Sequence, residues 1–93
     1  MAERGWTFLT NHAHVLLFLT RTPDARVRDI AEAVGITERM VQLVLNDLED
    51  AGYLVRRRVG RRNEYEVVGG PFRHPLEREH QVQELLSVLA PRR

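Results

Sequence analysis

Two short amphipathic segments, separated by a glycine, constrain the fold of this chain more than any other feature. The first ends at Val34 and the second begins after Thr37, with Gly35 between them. Ala31 is small enough for two helices to approach closely, and Gly35 can adopt the left-handed backbone that ends a helix. Val41, ten residues after Ala31, is spaced to pack into the angle between the two helices. The segment therefore predicts two helices that cross at a tight turn.

The second of these helices has two distinct faces. We expect it to span residues 37–51, with Thr37 as its N-cap and Gly52 ending it. Spacing by one, four, five and eight residues gives a buried stripe of Met40, Val41, Val44, Leu45 and Leu48. The opposite face carries Glu38, Arg39, Gln42, Leu43, Asn46 and Glu49. The wedge between the helices is expected to be filled by Ile30, Val34, Ile36 and Val44.

Three further elements complete the predicted helical part. A first helix spans residues 9–19 with Thr10 as its N-cap, and a short strand at 26–27 precedes a second helix at 28–34. A last helix begins at Pro75, with Glu77 and Glu79 in its first turn, and ends at Pro91. Its apolar stripe consists of Leu76, Val82, Leu85, Leu86 and Leu89.

An arginine-rich hairpin follows the third helix. Five arginines lie in residues 56–62, and no acidic residue lies among them. A three-residue turn at 60–62 pairs Val59 with Asn63 across the hairpin, Arg58 with Glu64, and Arg56 with Glu66. The other face then turns inward and carries Tyr53, Val55, Arg57, Val59, Tyr65 and Val67. In this register Arg56 and Arg58 are partly neutralised, Arg57 stacks on Tyr65, and Arg61 and Arg62 have no acidic partner.

The order of these elements resembles the winged helix-turn-helix regulators of bacteria. The resemblance covers residues 9–68, and the multiple-antibiotic-resistance-regulator (MarR) type is nearest, with the arsenical-repressor (ArsR) type a close alternative. It implies a mainly α fold with a small β wing: a three-helix core, a two-stranded antiparallel hairpin and a C-terminal helix. Residues 1–70 would form the DNA-binding domain. Residues 71–93 would form a linker and a helix that dimerises or packs on the first helix.

The resemblance also implies that the third helix enters the major groove of DNA. The residues it assigns to DNA binding there are Thr37, Glu38, Arg39, Gln42, Leu43 and Asn46. Arg39 can bind guanine through two hydrogen bonds, and Gln42 and Asn46 can pair with adenine. Leu43 can contact a thymine methyl group. Thr37 is first an N-cap and only then a phosphate ligand, and Glu38 complements the helix dipole more readily than it reads cytosine.

We call the hairpin, with its arginine-rich part at residues 56–62, the wing. Its arginines expected to bind DNA are Arg57, Arg61 and Arg62. Arginine at the tip of a wing can enter the minor groove or bind the phosphates. The competing interpretation is an exposed basic hairpin that only increases solubility.

Several other functions are disfavoured by composition. The chain has no cysteine, and Ser87, its only serine, has no histidine and carboxylate arranged around it, so we expect no enzyme and no cofactor. No apolar run approaches the length of a membrane span, and the N-terminus lacks a signal-peptide pattern. We therefore expect a cytoplasmic protein that does not bind membranes.

The function we expect is sequence-specific binding of double-stranded DNA by a transcriptional regulator that forms a homodimer. The sequence does not identify a small-molecule effector. One alternative is a winged-helix module that binds another protein through its third helix. Another is a metal-responsive repressor with a site at His80, Glu84 and Glu77. Such a cluster is more often a solvated helix face, so we expect no metal site.

Overall fold

The computed structural model describes residues 5–90, which form four helices and one hairpin. The helices are α1 (Asn11–Arg21), α2 (Val27–Val34), α3 (Glu38–Asp50) and α4 (Val82–Leu89). The strands β1 (Leu54–Val59) and β2 (Arg62–Val67) pair antiparallel as a two-stranded sheet. The predicted fold class is confirmed: a three-helix core, a hairpin and a C-terminal helix. None of the helices within residues 5–90 has the length and apolar character needed to cross a membrane.

The predicted helix caps are confirmed at three positions. The Thr10 hydroxyl accepts the N–H of Ala13 at 3.3 Å, and the Thr37 hydroxyl accepts the N–H of Met40 at 3.0 Å. Each bond satisfies a backbone donor that the first turn of a helix leaves free. Gly35 closes α2 with a φ of 88°, in the left-handed region where a side chain would be strained. The caps therefore fix the turn between α2 and α3.

One hydrophobic core joins all three N-terminal helices to the hairpin and to α4. Its buried residues are Val15, Leu16, Leu19, Ala25, Ile30, Ala31, Val41, Val44, Leu45, Leu48, Tyr53, Leu54, Tyr65, Val82 and Leu86. Val34 and Ile36 are half-buried against this cluster, as the wedge prediction requires. Met40 is 41% exposed, so its assignment to the buried stripe was wrong. At about 100° per residue, Met40 lies roughly 90° from the centre of the stripe that α3 buries.

The predicted hairpin register was wrong by one residue. Val59 faces Arg62 across a two-residue turn, and the pairing continues to Leu54 opposite Val67. Gly60 has a φ of 63°, which suits the first central position of a two-residue turn and makes the third turn residue unnecessary. The inward face of β1 therefore starts from buried Leu54, whereas Val55, expected inside, is 43% exposed. Only β2 keeps its predicted orientation.

The short strand and the last helix also differ from prediction. The strand expected at 26–27 is absent from the described chain, because Arg26 is the N-cap of α2 and its N–H donates to the Asp29 carboxylate at 3.2 Å. The last helix starts at Val82 and not at Pro75, since the Gln81 N–H donates to the Glu84 carboxylate at 3.1 Å and caps the helix there. Residues 73–80 form turns. The predicted end at Pro91 lies outside the described residues.

The C-terminal segment packs on the same core as the rest of the chain. Val82 and Leu86 are buried in the core, and α4 lies against α1. The Tyr53 hydroxyl donates to the Pro71 carbonyl at 2.7 Å, and the Val82 N–H donates to the Gly70 carbonyl at 2.7 Å. These bonds hold the segment after β2 close to the end of α3.

Candidate nucleic-acid interface

The outward face of α3 presents a compact set of polar side chains. Arg39, Gln42, Leu43 and Asn46 are all exposed and follow spacing by three, four and seven residues, which places them on one side of the helix. Leu43 is 51% exposed. Within residues 5–90, the side chains of Arg39, Gln42 and Asn46 make no hydrogen bond. Their donors and acceptors are therefore available to an external ligand.

The start of α3 combines a cap with an acidic residue. Thr37 and Glu38 are exposed, and the Thr37 hydroxyl already accepts the Met40 N–H. Glu38 lies in the first turn, where a carboxylate complements the positive end of the helix dipole. Both side chains thus have a local structural role at the end of the helix that is expected to face DNA.

Arg56 connects the wing to α3. Its guanidinium donates to both carboxylate oxygens of Glu49, through Nε at 2.9 Å and Nη2 at 2.7 Å. The same group lies over the Tyr65 ring, 5.9 Å from its centroid. The hydrogen bond to Glu49 raises the pKa of Arg56, and partial burial opposes this only in part. The prediction that Arg56 is paired is confirmed, but its predicted partner was wrong, since it binds Glu49 and not Glu66.

The remaining arginines of β1 and the turn are exposed. Arg57 donates to Glu66 at 2.7 Å, a diagonal contact on the solvent face, so the predicted stacking on Tyr65 was wrong. Arg58 donates to the Gly60 carbonyl at 3.0 Å and lies opposite Asn63, so its predicted pairing with Glu64 was also wrong. Arg58 and Arg61 form no salt bridge within residues 5–90.

Arg62 is attached to the loop that precedes α2. Its Nη2 donates to the Asp24 backbone carbonyl at 3.0 Å and to the Asp24 carboxylate at 3.3 Å. Next to it, the Tyr65 N–H donates to the Pro23 carbonyl at 2.8 Å. The prediction that Arg62 has no acidic partner was therefore wrong. These contacts, together with the Arg56–Glu49 pair, orient the wing relative to α2 and α3.

Sequence reasoning missed the surface that this attachment creates. The wing turn and the loop before α2 enclose a cleft of 310 Å³ whose lining includes Arg26, Arg61, Arg62, Asn63 and Asp24. Asp24 and Arg62 are 38 residues apart in sequence. In addition, the predicted register placed Arg62 in the turn and not at the start of β2. Nothing in the local pattern indicated that the two would meet.

The histidines do not assemble a metal centre in the described chain. His80 forms a 2.8 Å hydrogen bond with Glu84, and His12 forms one of the same length with Asp47, between α1 and α3. No group of three histidine, aspartate or glutamate side chains within residues 5–90 is arranged to hold a metal ion. Glu77, the third residue of the alternative metal site, lies in the turns before α4.

Comparison with solved structures shows a protein with a similar fold. The chain is similar to MepR, a transcription regulator of the Staphylococcus aureus multidrug efflux pump MepA, with a TM-score of 0.59 and 19% sequence identity. The match covers 86% of this chain and 56% of the MepR chain, so this chain spans little more than half the length of that protein. No curated protein matches the chain in sequence.

The structural match shows only the fold, whereas a match to a family model shows a relationship in sequence. The model that matches is that of the MarR family, and the match extends over residues 7–62, which include α1, α2, α3, β1 and the turn up to the first residue of β2. That range is more than half of the chain. The resemblance inferred from the sequence is confirmed: this chain belongs to the MarR family.

Proposed function

We propose that this protein is a transcription regulator that binds double-stranded DNA, with α3 in the major groove and the wing at the minor groove or phosphates. The observation that carries the proposal is the exposed face of α3 with Arg39, Gln42 and Asn46, next to a hairpin with five arginines. Arginine and amide side chains are the groups that discriminate bases in the major groove. Membership of the MarR family and the likeness to MepR support the same function.

The two parts of this surface have different tasks in the proposal. Arg39, Gln42, Leu43 and Asn46 contact bases, while Thr37 and Glu38 shape the start of the helix. Arg57, Arg61 and Arg62 remain the proposed wing contacts, and Arg58 joins them because it has no acidic partner in the described chain. The salt bridge from Arg57 to Glu66 has both side chains 59% exposed, so a phosphate can displace the glutamate at little cost.

A second copy of the chain is the proposed partner on DNA. MarR-family regulators usually bind DNA as dimers. Exposed apolar side chains, among them Trp6 at 79%, Phe8 at 92% and Val88 at 72%, are available to such a contact. A symmetric dimer predicts two half-sites related by a palindrome about one helical turn apart.

Selection of bound duplexes from a random DNA pool tests the proposal directly. We expect an enriched palindrome, and binding to it that weakens steeply with salt. If each subunit contacts roughly four phosphates, the slope of log K against log salt for a dimer is about −7. No enrichment at low salt would contradict the proposal.

Variants separate DNA binding from the alternative of a protein-interaction module. The double variant Arg58→Ala/Arg61→Ala is expected to weaken binding to all duplexes, because it removes phosphate contacts that carry no sequence information. Arg73→Ala/Arg78→Ala is the matched control, since it removes two exposed arginines from the segment before α4. Equal effects of the two variants would favour a module that binds protein through α3 and does not use the wing.

A further inference from the structure

The cleft between the wing turn and the loop before α2 has an excess of positive charge. Three arginines, Arg26, Arg61 and Arg62, line it, and among the described lining residues Asp24 is the only acidic one. Asn63 adds an amide that can donate a hydrogen bond. Clustered guanidinium groups bind phosphate oxygens well, because their planar arrays of donors match the geometry of the anion.

Asp24 forms a salt bridge with one of these arginines, Arg62. Its carboxylate lies 3.3 Å from Arg62 Nη2, and the two side chains are 53% and 50% exposed. A salt bridge this long and this exposed contributes little free energy, so an incoming anion can replace the carboxylate. The carboxylate also repels any anion that approaches Arg26 or Arg61 across the cleft.

We propose that this cleft binds a phosphate of the DNA backbone, and that Asp24 is an internal competitor that the phosphate displaces from Arg62. The inference rests on the proposed function and deepens it, because it adds Arg26 and Asn63 to the DNA-binding surface and gives Asp24 an opposing role. Asp24 thereby lowers the affinity for all duplexes irrespective of their sequence.

The attachment of the wing does not depend on the carboxylate. Arg62 also donates to the backbone carbonyl of Asp24 at 3.0 Å, and the Tyr65 N–H donates to the Pro23 carbonyl at 2.8 Å. Both bonds use backbone acceptors, which remain after the side chain at position 24 is changed. Asp24→Asn and Asp24→Ala therefore remove the competing charge and leave the wing in place.

The test is fluorescence anisotropy with the full chain and a labelled duplex of random sequence, at about 50 mM and about 300 mM salt. We expect Asp24→Asn and Asp24→Ala to bind roughly two- to five-fold more tightly than the wild type at the lower salt. The gain should shrink at the higher salt, because screening weakens the repulsion that the variants remove. Thermal unfolding of both variants verifies that they are folded.

The matched control is Asp50→Asn, which removes the same charge from the end of α3. Asp50 lines a different cleft, with His12 and Arg73, so its removal should change affinity much less. Arg62→Ala should weaken DNA binding more in the Asp24→Asn background than in the wild type. In the wild type, Arg62 must break its salt bridge with Asp24 before it binds phosphate, whereas in Asp24→Asn it does not, so its contact contributes more. A merely structural Asp24 would not produce this coupling.

Each remaining outcome overturns the proposal in a distinguishable way. If wild-type protein binds no duplex at low salt, both the proposed function and this inference are wrong. If the wild type binds but Asp24→Asn and Asp24→Ala bind equally or less tightly, only the inference is wrong, and weaker binding identifies Asp24 as a residue that positions the wing. Inorganic phosphate at constant ionic strength should leave duplex binding unchanged, and strong competition by it would identify free phosphate as the ligand instead.

Discussion

The outward face of α3 and the wing differ in how far their polar groups are already engaged. Arg39, Gln42 and Asn46 make no hydrogen bonds within residues 5–90, whereas Arg56, Arg57 and Arg62 each hold a carboxylate. The α3 face is exposed because the opposite stripe of the helix fills the core. In the wing, salt bridges to Glu49, Glu66 and Asp24 orient three of the arginine side chains.

This difference assigns separate roles to the two regions under the proposed function. Side chains that have no partner within residues 5–90 give up only bound water and rotamer freedom when they bind bases, so α3 is suited to discriminate sequences. Arginines that must exchange a carboxylate for a phosphate contribute less free energy to DNA binding, and this contribution depends on salt. We therefore expect α3 to set specificity and the wing to set affinity that is common to all sequences.

The largest expected effect tests whether the wing is a separate unit at all. Tyr65 belongs to β2 but is only 4% exposed in the shared core. Tyr65→Ala should lower the free energy of unfolding by about 3 kcal/mol, because it leaves a cavity where an aromatic ring was. Urea unfolding gives this value. Val59→Ala, at a hairpin position that is 49% exposed, is the control and should change stability by less than about 0.5 kcal/mol. Similar values for both would mean that the wing folds independently of the core.

A second change addresses specificity through α3. Arg39→Ala should weaken binding to the selected sequence by about ten-fold or more, the loss expected for one bidentate contact with guanine. Binding to a scrambled duplex should change much less. Competition between the two duplexes in anisotropy measures the ratio, with Arg78→Ala as the control. Equal weakening on both duplexes would show that Arg39 contacts phosphate, and the contrast between α3 and the wing would then fail.

Local signals explain why most of the α-helical part could be predicted. Thr10, Gly35 and Thr37 each determine a helix end through a bond or a backbone angle within a few residues. The stripe of Val41, Val44, Leu45 and Leu48 likewise repeats at helical spacing. The start of the last helix was mispredicted because Pro75 and the capping pair Gln81–Glu84 are both typical of a helix N-terminus. Only tertiary contacts select the second.

The wing was harder to predict because its pattern fits two registers. Both a two-residue and a three-residue turn place Tyr65 inside, and they differ in whether Leu54 or Val55 enters the core. A shift of one residue then exchanges every arginine partner on β1. Two of the partners that the structure shows, Glu49 for Arg56 and Asp24 for Arg62, lie outside the hairpin, and the third, Glu66, pairs with Arg57 and not with Arg56. Charge pairing within the hairpin was therefore not evidence for the register.

A third prediction compares two ion pairs of the wing. Arg56→Ala should lower the free energy of unfolding by about 1.5 kcal/mol, because it breaks a partly buried, bidentate contact with Glu49 on α3. Arg57→Ala, which breaks the exposed pair with Glu66, should cost less than about 0.5 kcal/mol. Urea unfolding of both variants gives the ratio. If Arg57→Ala were the more destabilising, the wing would be held by its outer face and not by α3.

The smallest expected effect is that of a variant outside both α3 and the wing, which serves as a reference for variants in these two regions. Hydrogen bonds from His80 and from the Gln81 backbone lower the pKa of Glu84, so the folded state favours its ionised form. The resulting stabilisation is complete above the ordinary pKa of a glutamate, about 4.3, and is lost as pH falls through the lowered value. His80→Ala should raise the pKa of Glu84, measured by NMR titration of its carboxyl carbon. Because the exposed Glu84 carboxylate makes its hydrogen bonds to His80 and Gln81 alone among the described residues, DNA binding at neutral pH should stay unchanged. A loss of affinity in His80→Ala would show that the start of α4 also takes part in the DNA-binding surface, and the division between α3 and the wing would be incomplete.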